Sequence, residues 1–123
     1  MTVPGHSPFE RALDDARCGR VRPLQWVHQG TAVLIYVTEV WAVTTTALRL
    51  TPSEQAQVRS GIALVVDGKR HPAVTVHELG STGVWVMSIG TTLRIHYQQM
   101  PERGTLLMLM ISRHTIGDAA SPE

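Results

Sequence analysis

This chain is short of charge. Only 17% of its residues are Asp, Glu, Lys or Arg, where soluble domains average about 25%. Less solvated surface than usual implies that Thr, Ser, Gln and Gly carry the polarity, or that part of the surface is covered by another chain. Lysine is nearly absent, with one (Lys69) against ten arginines. A GC-rich genome accounts for such a skew, although Arg is also the better bidentate partner for carboxylate and phosphate. Net charge is +1, which gives no electrostatic reason to expect nucleic acid or an anionic membrane.

Cysteine is reduced to Cys18, so neither an intrachain disulfide nor a cysteine metal cluster can form. A small buried hydrophobe is the expected role for it, and a reducing cytoplasm is the expected compartment. The N-terminus has no basic region followed by an apolar stretch, so no signal peptide is expected. Thr31 to Val43 is the longest apolar run of the first half and is broken at Thr38 and Glu39. It falls short of the roughly 20 residues that cross a bilayer, so a soluble protein without a membrane partner is expected.

Catalytic signatures are missing too. There is no G-x-S-x-G, no P-loop and no Cys–His arrangement, and acids are sparse at four Asp and six Glu. No cofactor is implied, and the balance is against an enzyme. No motif ties the chain to a known family.

What is present is architecture. At 123 residues the chain suits one domain with one core, placed at 7–113, with a flexible start at 1–6 and a disordered tail at 114–123. Ser7-Pro8 with Glu10 is a capping box with proline at the first helical position. Phe9, Ala12, Leu13 and Ala16 draw an apolar stripe over 8–18, and Gly19 is the stop. Residues 20–30 read as a connection, with Pro23 opposing a helix and Trp26 an anchor. The stretch 31–50 is rich in Val, Ile, Thr, Tyr and Trp, which predicts two strands or one bent strand broken near Thr38-Glu39. A second capping box, Thr51-Pro52-Ser53-Glu54, predicts a crossover helix over 52–60 that stops at Gly61.

From 61 to 97, short apolar runs alternate with turns at Asp67-Gly68, Gly80–Gly83 and Gly90-Thr91. That pattern predicts an antiparallel meander. A two-residue turn at Gly90-Thr91 pairs Val84 with Tyr97 and Val86 with Ile95 on one face, and Trp85 with His96 and Met87 with Arg94 on the other. Both faces carry apolar side chains. The run TLLMLMI (105–111) does not alternate at all, as befits a strand buried on both sides. The fold class expected is β-rich α+β: an antiparallel sandwich or partly open barrel of six or seven strands with two helices. Its second face needs a cover, whether helix, ligand or second copy.

Four sets of residues are candidates for chemistry. Trp85, Met87, Arg94 and His96 form an aromatic and cationic patch suited to a partner protein, against the plainer reading of a Trp packed under helix 8–18. Trp41, Trp85, Tyr36 and Met87 could line a pocket between sheet and helix, with Glu39, Glu78 or His96 as its polar group. Glu39 and Glu78 could also act as an acid/base pair if they face inward. His71 and His77, with His96, His114 and Glu78, are weak metal candidates. Six residues along a strand is about 20 Å, too far for one ion without a bulge. The leading functional expectation is a non-enzymatic protein-binding or assembly domain, self-associating through an apolar face or strand edge. The alternatives are a small-molecule enzyme or ligand-binding domain, and a weak nucleic-acid binder. The last would use the Lys69-Arg70-His71 tip or the cluster Arg17, Arg20 and Arg22.

Overall fold

A computed structural model describes residues 7–68, 74–80 and 82–113. The expected loose ends, the Lys69-Arg70-His71 tip and His71 itself lie outside the described residues, as does His114. Those described form three helices and a six-stranded mixed sheet that is not closed. The class is α+β. In chain order the elements are α1 (Pro8–Cys18), β1 (Val21–His28), β2 (Thr31–Thr38), α2 (Glu39–Leu48), α3 (Pro52–Val66), β3 (Val74–Glu78), β4 (Trp85–Ile89), β5 (Leu93–Met100), a 3-10 turn at Pro101–Arg103, and β6 (Thr105–Arg113).

Strand order is β1-β2-β6-β5-β4-β3. Strands β3 to β6 are the expected antiparallel meander, but β6 ends its path alongside β2, parallel to it at Tyr36–Leu107 and Val37–Met108. That contact makes the sheet mixed rather than antiparallel throughout. It requires a crossover, which α2 and α3 supply by carrying the chain from β2 to the far edge.

Three segments depart from expectation. Residues 21–28 are an edge strand rather than a connection, and Pro23 sits where proline is tolerated, on an edge. The hairpin to β2 turns through Gln29 (φ 51°) and Gly30 (φ 79°). Two positive φ values describe a type I′ turn, with Gln where Asn or Gly is usual. Residues 39–48 are helix, not strand, despite their β-branched content. The hydroxyls of Thr44, Thr45 and Thr46 donate to carbonyls three or four residues back, so these side chains are satisfied inside a helix. Finally, α3 passes through Gly61 to Val66. A helix-interior Gly costs about 1 kcal/mol, and burying Ile62, next to it and 2% exposed, returns roughly 1.5–3 kcal/mol.

Both capping boxes form as expected. Ser7 Oγ accepts from Glu10 N–H and Thr51 Oγ1 from Glu54 N–H, while each Glu accepts from the cap's own N–H. Strand β6 is buried on both sides, as its unbroken apolar run requires. One core joins Ile35, Trp41, Ile62, Met87, Ile95, Tyr97 and Met108 under α2 and α3; the other joins Ala12, Val40, Val84, Leu107 and Leu109 under α1. The chain's own helices are therefore the cover that the meander demanded.

The β4–β5 register is one residue off the expected one. Trp85 pairs with Tyr97, Met87 with Ile95 and Ser88 with Arg94, because the loop contains three residues, Gly90 to Thr92. A one-residue slip exchanges the faces of one strand relative to the other. Trp85 and Met87 face α3, whereas Arg94 and His96 lie on the α1 side.

Candidate functional site

Helix α3 lies across the sheet and meets edge strand β1, and an open cleft of about 450 Å³ remains between β1, α2 and α3. That size is within the 300–1,000 Å³ typical of small-molecule sites. Alternation along β1 sends Leu24 and Trp26 to this side, opposite Ile35 and Val33 of β2. Trp41 from α2 and Val58 and Ile62 from α3 complete an apolar wall. Arg49 and Arg59 stand exposed at its rim. Arg49 is the C-cap of α2 in left-handed conformation (φ 51°), which orients its side chain from a turn rather than from a helix. The Trp26 indole N–H is buried and has no hydrogen-bond partner among the described residues. A second depression, of about 500 Å³, lies on the other flank of α3, lined by Ser53, Gln57, Ser60, Leu64 and Gly90.

On the opposite face of the β1–β2 hairpin, apolar side chains are open to solvent. Val27 is 71% exposed and Leu34 41%. Register puts Gln25 opposite Leu34 and Val27 opposite Ala32, and Pro23 and Ala32 are exposed beside them. Helix α1 packs farther along, against Val21 and Tyr36. At that end Arg103 donates to the Tyr36 hydroxyl at 3.1 Å, its guanidinium 5.0 Å from the ring centre.

The residues singled out from sequence do not form one site. Trp41 is buried and lines the cleft. Tyr36 is on the α1 side under Arg103. Trp85 is half-buried and Met87 fully buried in the α3-side core. Arg94 is exposed on the α1 side. His96, on that side too, stacks obliquely on Phe9 of α1, with ring centres 5.4 Å apart. Its Nδ1 is buried without a partner among the described residues. Burial, then the nearby charges of Arg94 and His77, lower its pKa from the usual 6.5. His77 is exposed on β3, separated from His96 by Val86 in the register. Glu39 is exposed at the first position of α2, and Glu78 is exposed at the end of β3. Among the described residues no three of His, Cys, Asp and Glu gather where a metal ion could be held.

Leu24, Arg49 and Arg59 were not legible as site residues. Trp26 was visible as an anchor, but its direction depends on 21–28 being a strand. Proline within that run and the Gln-Gly turn both conceal the strand.

No family model and no curated protein matches this sequence. Among solved structures, the fold is similar to that of a metal-bound toxin from Helicobacter pylori. The TM-score is 0.56 at 14% identity, over 63% of this chain and 90% of that one. The likeness is one of fold. No helix among the described residues is long and apolar enough to cross a membrane.

Proposed function

We propose that this domain binds protein through its β1–β2 hairpin, and that its partner there is a second copy of the chain. The observation that carries this reading is the exposed face of Val27 (71%) and Leu34 (41%), flanked by Pro23 and Ala32, on the open edge of the sheet. The hairpin residues of that face, 23, 25, 27, 32 and 34, include no charged side chain. A two-fold contact brings the same patch against itself, and an uncharged apolar patch does so without opposing like charges. Low overall charge supports the same reading. Light scattering over a concentration series should give a dimer, and Val27→Lys with Leu34→Lys should give a monomer with unchanged circular dichroism. A strict monomer at all concentrations overturns the proposal.

A second reading is supported by the fold neighbour, whose structure matches over 90% of its own chain: that this chain also acts as a toxin. Inducible expression in a bacterial host tests it directly. Growth arrest supports the reading, and unimpaired growth at confirmed soluble expression rejects it.

A further inference from the structure

We infer that the cleft between β1, α2 and α3 is a binding site for a small organic anion with a planar apolar body, of the aromatic carboxylate class. The site lies on the other face of β1 from the hairpin patch, and the inference is independent of that contact. Its wall is apolar and aromatic, with Leu24, Trp26, Trp41 and Val58, which suits a flat ring system. The charge of its lining is of one sign. Arg49 and Arg59 stand at the rim, and among the described residues no Asp or Glu lines the cleft.

The polar hydrogens narrow the ligand further. Thr45 and Thr46, which also line the cleft, have their hydroxyl protons on the carbonyls of Trp41 and Ala42. The Gln55 amide donates to the Leu50 carbonyl. What remains to donate from the lining is the two guanidinium groups and, on exposed side chains, the Gln25 amide and the second N–H of the Gln55 amide. The Trp26 indole N–H is unpartnered among the described residues but buried beneath the cleft wall. The only charged groups among these are the two arginines, so the ligand they favour is an anion, and the guanidinium fork favours a planar one held by two oxygens. Carboxylate is preferred to phosphate. The N-terminus of α3 lies near the cleft, but the Thr51–Glu54 capping box already takes two of its N–H groups and sets the Glu54 carboxylate there, where its charge opposes a phosphate.

The test uses the full chain with 2-naphthoate as the probe. Its methyl ester serves as the neutral analogue and 2-naphthyl phosphate as the phosphate analogue, with binding followed by calorimetry and by the tryptophan indole N–H resonances. Naphthoate should saturate, move the Trp26 indole resonance and leave that of Trp85 in place. The ester should bind about tenfold more weakly or worse, a difference of about 1.4 kcal/mol. Arg59→Gln combined with Arg49→Asn, chosen because Asn tolerates the left-handed backbone, should weaken naphthoate to the level of the ester. Val27→Lys should not alter binding. The inference is overturned if naphthoate fails to saturate by about 5 mM, near the limit of useful affinity. It is equally overturned if the ester matches the acid, if the phosphate binds more tightly than the carboxylate, or if the Trp26 resonance does not move. The ester and phosphate arms need no variant, so misfolding of the double mutant cannot obscure the result.

Discussion

The Thr38 hydroxyl donates to the Leu109 carbonyl at 2.6 Å while accepting from the Trp41 N–H at 3.0 Å. Leu109 is the extra residue of a bulge, since His96 pairs with Met110 and Tyr97 with Met108. Strand β2 has already turned into α2 at this height, so β6 lacks a strand on that side. Thr38 supplies the missing donor, and Thr44 the missing acceptor, taking the Ile111 N–H at 3.3 Å. A helix edge thus replaces a strand edge, through two hydroxyls.

Thr38 is fully buried, so Thr38→Val should destabilise the protein by about 2–4 kcal/mol. The estimate combines a lost N-cap with two buried backbone groups left unpaired. Thr38→Ser keeps the oxygen and should lose far less. Urea unfolding of both variants measures the difference.

The carboxylate of Asp15, 6% exposed, accepts from Val40 N–H at 3.3 Å and from Arg20 Nε at 2.9 Å. It ties α1 to the N-terminus of α2, where negative charge is favoured. Asp15→Ala should cost about 1–3 kcal/mol, and hydrogen exchange should show α1 opening more often than the sheet. Equal protection in α1 and the sheet would contradict this role.

Glu54 binds Arg113 through both oxygens, at 2.5 and 3.1 Å. That pairing, with the Thr51 backbone N–H, lowers its pKa from 4.5 to about 2. A depressed carboxylate favours the folded state in full above the unfolded value, and the gain is lost as pH falls through the folded one. Stability should therefore decline between about pH 4.5 and 2, and Glu54→Gln should flatten that part of the profile. Urea midpoints across this range check it.

His96 gives the same sign from a different cause, since burial favours its neutral form. Its folded pKa lies below 6.5, so the unfolded chain takes up its proton first. Stability should be undiminished above pH 6.5 and fall below it until the folded pKa is reached. His96→Phe should abolish this slope and retain the contact with Phe9. Denaturation midpoints of the wild type and variant between pH 5 and 8 decide the matter.

How much of this was legible beforehand follows the range of the interactions. Both capping boxes act across three residues and were readable as written. The double burial of TLLMLMI was readable too, since a strand with no polar alternation has no solvent side. The cleft was legible only through Trp41. Its other wall belongs to a strand that Pro23 and Gln29-Gly30 disguise, and Arg49 gains meaning from a helix that composition alone assigns to the sheet.

The sequence by itself determined where α1 and α3 begin and that the β-rich half needs cover on two faces. These depend on hydrogen bonds and apolar periodicity within a few residues. Tertiary structure decided that 39–48 is helix, because Thr38 and Thr44 find their partners on β6, about 70 positions away in the chain. It also decided the β4–β5 register. A slip of one residue leaves local propensity unchanged and alters only which core receives Trp85 and Met87. Contacts made across the fold, not within a segment, carried those choices.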